Sequence, residues 1–338
     1  MTTSRPKVRD YTDKKRRLTV EVMSGPAFEL LASLFVFTLG RAEIEEYDVG
    51  PEWFEKVQAA LSPQVLADLE RVGCGDVWLA LVDQAYAAAE PRGIPQLLDQ
   101  LSGADAPAVR RAMLAMQVRH TEATGELIDR AGAGDSAALE ALAGLCEPPC
   151  VAGLRRLAAA TPASYLEQIA GVLRRFDDEF FHGGEENAAA LARDADEKRC
   201  LAESLPAERL VETATNGVTF KLQPEVGGVV LVPSAVVRPW VAITESGPRR
   251  IFVYPVSAEM LSADPDAPSP WMVGFYKALA DERRLRILNM LSAGPASLTE
   301  VAERMGLAKS TVIHHMRALR TAGLVLITVG DEKEYSLR

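Results

Sequence analysis

Cysteine and long apolar runs are both scarce in this chain of 338 residues. Its 4 cysteines are too few for a disulfide-stabilised scaffold of this size. The most apolar run, residues 28–39, contains Glu29 and is too short to cross a bilayer, so it predicts a buried helix. The N-terminal residues are mostly polar and charged and do not resemble a secretory signal. We therefore expect a cytoplasmic protein.

Basic residues are also scarce relative to acidic ones. The chain has 37 Lys/Arg and 47 Asp/Glu, so its formal net charge is −10. A chain this acidic, taken as a whole, is not typical of a nucleic-acid-binding protein. The deficit is uneven, since the residues from Trp271 onward hold ten Lys/Arg and seven Asp/Glu. A mildly basic tail on an acidic body is typical of a DNA-binding module attached to a second domain.

Catalytic signatures are absent as well. The sequence holds no phosphate-binding loop, no Gly-x-Ser-x-Gly elbow, no dinucleotide-binding glycine pattern and no paired zinc ligands. Cys146 and Cys150 flank two prolines and resemble a metal-ligand pair only loosely, and His182 could share a helix face with Asp178. Metal or redox use is the less favoured interpretation of the cysteine pair, and a solvated acidic helix end is favoured for the segment around His182. The sequence therefore predicts no enzyme, no metal site and no cofactor.

Helical signals dominate residues 18–205. Proline stands where helices would begin at Pro26, Pro51 and Pro63, because it suits the first helical position. An alternating, β-rich segment at residues 18–23 predicts one short strand before the first helix. We therefore predict a mainly α protein with α+β parts, in which a large helical N-terminal domain forms the body.

The helical pattern gives way to β-branched residues and turn signals in residues 206–260. Four short segments there are predicted strands: residues 218–222, 229–232, 240–244 and 251–256. We expect them to form a small antiparallel sheet that packs with the body, and the strand at residues 18–23 can join it. Residues 261–270 hold three prolines and are predicted to be a linker. Residues 1–17 are predicted to be a flexible basic tail rather than an arm that touches DNA.

Residues 271–338 carry the signals of four helices followed by a hairpin. Ser297 and Glu300 form a capping box at the start of the third helix. Gly306 then allows a tight turn before a fourth helix that starts near Lys309. The chain closes with two β-rich segments around a polar turn. This order predicts a winged helix-turn-helix, a fold that places one helix in the major groove of DNA.

The fourth helix divides into an inner and an outer face when each residue is rotated by about 100°. Val312, Met316 and Leu319 form the inner stripe, and His315 lies close to it. The N-terminal end of such a helix enters the groove, and its N–H groups favour phosphate. The outer face, that N-terminal end and the hairpin tip hold the predicted DNA contacts: Lys309, Ser310, Thr311, Ile313, His314, Arg317, Arg320 and Lys333.

Three segments carry a specific resemblance. Residues 278-ALADERRLRIL-288, residues 298-LTEVAERMGLAKSTVIHHMRALRTAGLV-325 and the closing hairpin resemble the ArsR-type winged helix of bacterial transcriptional regulators. The resemblance implies a homodimer that binds double-stranded DNA, with Phe275 and its apolar neighbours as part of the interface. Ile313 replaces a small polar residue that is common in the family, so contact with a thymine methyl is one substitute for polar readout there. The module has no cysteine, and neither of the metal sites usual in the family is expected.

The body also carries a resemblance, because 19-TVEVMSGPAFELLASLF-35 is similar to bacterial proteins that fuse a long, uncharacterised helical region to an ArsR-type tail. We therefore predict a DNA-binding transcriptional regulator and expect repression, although the sequence does not distinguish a repressor from an activator. Its body would dimerise, bind a small-molecule effector, or do both. The alternative is a ligand-binding or enzymatic body whose winged helix serves only for targeting or for protein contact.

Overall fold

The computed structural model describes residues 18–39, 44, 47–72, 76–116, 118, 122–146, 148–220, 226–261, 268, 270–329 and 333–338. The predicted basic tail and most of the predicted linker lie outside these ranges. Within the described residues, no helix is long and apolar enough to cross a membrane.

Helices fill most of the body, as predicted. They are α1 (Pro26–Thr38), α2 (Gly50–Ala60), α3 (Pro63–Val72), α4 (Asp76–Leu79), α5 (Val82–Ala87), α6 (Ile94–Ser102), α7 (Ala106–Met116), α8 (Glu122–Gly132), α9 (Ser136–Ala143), α10 (Pro148–Ala159), α11 (Pro162–Phe176), α12 (Glu185–Ala202) and α13 (Ala207–Ala214). A π-helical turn (Asp177–Phe181) and a short 3-10 turn (His182–Gly184) separate α11 from α12.

Helix α1 lies at the centre of the body. Its residues from Ala27 to Leu34 are all buried, Glu29 and Ser33 included, so this part of the helix has no solvent-exposed face. A helix that is apolar all round must be covered all round. Accordingly, α4, α5 and α6 pack against it. Trp78 of α4 and Phe176 of α11 are fully buried in the same core.

A mixed four-stranded sheet covers α1. Its strand order is β1 (Thr19–Val22), β3 (Gly228–Ser234), β5 (Arg249–Pro255) and β4 (Ala242–Ser246). β1 pairs with β3 and β3 with β5 in parallel, whereas β4 and β5 are antiparallel. The prediction of an antiparallel sheet is therefore wrong, and the expectation that the strand at residues 18–23 joins it is confirmed. β3 is buried along its whole length because α1 and α12 both pack against it, an arrangement typical of strands inside parallel sheets.

Strand β2 (Val218–Phe220) was predicted to belong to that sheet, but it pairs elsewhere. It lies parallel to β7 (Val325–Val329), with Val218 opposite Ile327 and Thr219 opposite Thr328. Asn216 and Gly217 both have positive φ, which turns the chain sharply from α13 into this strand. The body and the C-terminal module therefore share a sheet.

The C-terminal module has the predicted order of elements. Its helices and strands are α15 (Pro270–Leu279), α16 (Glu282–Leu291), β6 (Ala296–Ser297), α17 (Leu298–Met305), α18 (Lys309–Thr321), β7 and β8 (Lys333–Leu337), preceded by the short α14 (Ala258–Leu261). The predicted capping box is confirmed: Glu300 Oε2 accepts from Ser297 N at 2.7 Å, and Ser297 Oγ accepts from Glu300 N at 3.2 Å. Gly306 has a φ of 63°, as its turn requires. The four strands of this sheet lie in the order β2-β7-β8-β6.

Candidate nucleic-acid interface

The N-terminal half of α18 lies on the surface of the module. Lys309, Ser310 and His314 are exposed, and Thr311 and Ile313 are partly exposed. The residue before the helix is Ala308, and no side chain in the described part of the chain caps it. The N–H groups of the first turn therefore face outward beside the Lys309 charge, which is an arrangement that attracts phosphate.

The inner face of α18 anchors this half to the module. Val312, Met316 and Leu319 are buried with residues of the neighbouring helices, as predicted. His315 is also buried, and burial lowers the pKa of its imidazole. A neutral ring inside the module agrees with the structural role expected for this histidine.

Arg320 does not face outward, so its predicted placement is wrong. Its relative exposure is 4%, and burial lowers the pKa of its guanidinium to about 10. The guanidinium lies 5.4 Å from the centre of the Trp240 ring, which belongs to the body. Arg320 comes one helical turn after the buried Met316, and the body covers this side of the helix.

Arg317 is also turned toward the body rather than toward solvent. Its Nη2 lies 3.3 Å from Asp48 Oδ1, and its guanidinium lies 5.9 Å from the Trp240 ring. Its side chain is 16% exposed. The predicted contact face is thus divided between an open N-terminal half and a covered C-terminal half.

Lys333 is the predicted contact of the hairpin, and it lies at the edge of the described residues. Lys333 begins β8, opposite Val329, and is exposed. Residues 330–332 lie outside the described residues, so the predicted tip itself has no described geometry. Lys333 is therefore an exposed cation at the start of the second hairpin strand.

The body contributes a set of polar contacts that the sequence analysis did not foresee. Asn216 Nδ2 donates to Arg320 O at 3.3 Å and to Thr321 O at 3.1 Å, at the C-terminal end of α18. Arg338 donates to Asn216 Oδ1 at 3.1 Å and lies 3.7 Å from Glu212. These partners are more than a hundred residues apart in sequence. The sequence indicated only an Asn-Gly turn before a short strand, and that pattern does not identify the partners.

A cavity of about 500 Å³ lies between the body and the module. Asp194 and Lys198 of α12 line it on one side, and Gly274 and Thr321 of the module line it on the other. Lys198 Nζ donates to Asp194 Oδ1 at 3.2 Å, and the Tyr254 hydroxyl donates to Asp194 Oδ2. Burial and the Asp194 carboxylate raise the pKa of the Tyr254 phenol. The cavity thus has charged walls of both signs.

The two groups considered as metal ligands in the sequence, Cys146 with Cys150 and His182 with Asp178, are only partly described. Within the described part of the chain, no group of three or more His, Cys, Asp or Glu side chains could hold a metal ion. His182 has a φ of 49° at the end of the π-helical turn, and Asp178 is exposed. The side chain of Cys150 lies outside the described part.

The helices of the module, its exposed N-terminal half of α18 and its β-hairpin define a winged helix-turn-helix. A family model described as "Bacterial regulatory protein, arsR family" matches residues 281–326. These residues form an ArsR-type helix-turn-helix domain, which confirms the resemblance seen in the sequence.

A curated relative is similar to the C-terminal region of the chain. The "HTH-type transcriptional regulator NmtR" of Mycobacterium tuberculosis (strain ATCC 25618 / H37Rv) is 44% identical over 61 residues, which are 18% of this chain and 48% of the relative. The chain therefore spans about half the length of this relative. No solved structure matches the chain.

Proposed function

We propose that this protein is a DNA-binding transcriptional regulator that acts as a repressor in the cytoplasm. The observation that carries the proposal is the open N-terminal half of α18 in an ArsR-type domain. Lys309 and the first-turn N–H groups would contact phosphate, and His314 would reach base edges. Ile313 would touch a thymine methyl beside them. The relative's name, which calls it a transcriptional regulator, supports the same class.

We also propose a homodimer built on α15. Met272 and Tyr276 are 51% and 68% exposed. Both side chains are large and mostly apolar, so their exposure suggests a surface that another chain covers. Phe275 is partly buried, with its ring 5.9 Å from that of Tyr276. A second copy that covers this face would present two copies of α18, the recognition helix, to two half-sites, as dimeric helix-turn-helix proteins do.

The body, in this proposal, is a sensor rather than an enzyme, and the cavity is where an effector would bind. A volume of about 500 Å³ suits a small molecule. The buried Lys198–Asp194 pair and the Arg238 guanidinium line its wall, so a ligand with polar groups of both signs fits best. Such a ligand would act by binding one arrangement of body and module better than another.

The experiment is a DNA-binding titration of the full chain on the region upstream of its own gene, at low salt. Lys309→Ala is expected to weaken binding by about threefold to tenfold and to reduce the salt slope by about one, because one phosphate contact is lost. His314→Ala is expected to weaken binding mainly to the preferred sequence.

The matched control is Lys56→Ala, which removes an exposed charge from α2 of the body. It should leave affinity and salt slope unchanged. No binding by the wild-type chain at low salt would reject the proposed function. The alternative hypothesis would then be preferred: the body is an enzyme or ligand carrier, and the domain only targets it.

A further inference from the structure

We propose that the body restrains the recognition helix by holding Arg317 on Asp48, and that losing this contact strengthens DNA binding. The inference rests on the proposed function, since it concerns how the same DNA-binding face is regulated. It assigns a role to Asp48 and Trp240, which lie far from the module in sequence.

The first argument is the position of Arg317 on its helix. His314 precedes it by three residues and Ser310 by seven, so all three follow one face of α18. His314 and Ser310 are exposed, whereas the Arg317 side chain turns to Asp48 Oδ1 at 3.3 Å. Arginine binds carboxylates and phosphates with the same guanidinium donors. Asp48 and a DNA phosphate are therefore competitors for one side chain.

The second argument is that Asp48 is held in place to receive Arg317. Its backbone N–H donates to Arg238 O at 2.8 Å, and its Oδ2 lies 3.5 Å from Arg238 Nη2. Trp240, which follows Arg238 by two residues, places its ring against both Arg317 and Arg320. One loop of the body thus positions the carboxylate and also provides the aromatic surface beside it.

The third argument is that other contacts keep the body against α18. Asn216 binds the last carbonyls of the helix, and the backbone pairing of β2 with β7 lies beside it. An isolated surface ion pair would be weak because both side chains would be free to move. Here the two partners are held by elements that are already docked, so the pair can compete with a phosphate.

The test compares Asp48→Asn with the wild-type full chain on the same upstream DNA. The variant should bind about fivefold more tightly, and its salt slope should steepen by about one because Arg317 gains a phosphate contact. Asp99→Asn, which removes the same charge from an exposed site on α6, controls for long-range electrostatics and should have little effect.

A double-mutant cycle identifies Arg317 as the group that is released. In the Arg317→Ala background, Asp48→Asn should no longer change the affinity. The restraint is overturned if Asp48→Asn matches Asp99→Asn, or if its gain persists without Arg317. The thermal midpoints of all variants show whether each is folded. Absence of DNA binding in every variant would instead reject the proposed function, and with it the restraint.

Discussion

Glu29 is a carboxyl group buried in the first turn of α1, the most apolar helix of the body. It is 3% exposed, and its Oε1 accepts from Ala235 N at 3.0 Å and from Val236 N at 3.2 Å. These two hydrogen bonds join α1 to the segment that follows β3. They do not offset burial, which raises the pKa of the Glu29 carboxyl to about 7.

Glu29 should make stability depend on pH in a direction opposite to that of a paired surface carboxylate. Because its folded pKa is raised, the native state binds more protons between pH 4.5 and about 7, and stability falls as pH rises through that range. Glu29→Gln keeps an acceptor for both N–H groups and removes the titration. Urea unfolding measures the free energy of unfolding of both proteins. The difference between variant and wild type should move in favour of the variant by up to about 3 kcal/mol as the pH rises from 4.5 to 8.

Glu52→Gln, an exposed substitution on α2, is the control for the change in net charge. It should shift the stability of the protein by a similar small amount at each pH. Equal pH profiles for wild type and Glu29→Gln would contradict a raised pKa of the Glu29 carboxyl in the folded protein.

The residue scale also shows what a helical wheel can and cannot predict. The inner stripe of Val312, Met316 and Leu319 follows from local periodicity and was correctly placed. Arg320 was wrongly placed outside, because Trp240 covers it from a part of the chain that no local pattern connects to it. The open half of α18 was therefore predictable, and its covered half was not.

At the scale of elements, the pairing of β2 with β7 is the main surprise. Caps and turns in the module depend on residues three or four positions apart, so they could be predicted from sequence. Strand partners depend on the whole fold, and a three-residue strand has little pattern of its own. The continuous apolar run of β3 did indicate a parallel sheet. An antiparallel strand with one solvent-exposed face would instead alternate between apolar and polar residues.

The pairing can be tested with a disulfide between the two strands. The hydroxyl oxygens of Thr219 and Thr328 are 3.0 Å apart, so the double variant Thr219→Cys and Thr328→Cys should crosslink under mild oxidation. Peptide mapping by mass spectrometry would identify this bond among the native cysteines. Reductant should remove it.

Thr219→Cys combined with Ser336→Cys is the matched control. Ser336 lies on β8, on the far side of β7, which places it about two strand spacings from Thr219. This pair should not crosslink. Equal yields for the two pairs, or none for either, would contradict the parallel register.

At the scale of the whole molecule, the apolar face of α15 predicts self-association. Replacing Met272 and Tyr276 by glutamate puts two charges on that face and should convert a dimer into a monomer, because burying unpaired charge in an interface is costly. Sedimentation equilibrium across a range of protein concentrations measures this change directly.

Leu145→Glu provides the control, since Leu145 is an exposed apolar residue of the body at 58% exposure. It should leave the association state unchanged. A wild-type chain that stays monomeric at every concentration, or a double variant that stays dimeric, would place the interface elsewhere or remove it.

The shared sheet has a practical consequence for anyone who wishes to isolate the DNA-binding part. Cutting the chain at the start of α15 would remove β2 and leave the backbone groups of Ile327, Thr328 and Val329 along an uncovered sheet edge. Exposed edges of this kind recruit strands from other molecules and cause aggregation. A severed module would therefore need a charged substitution on that edge, or a grafted copy of residues 216–220, to remain monodisperse.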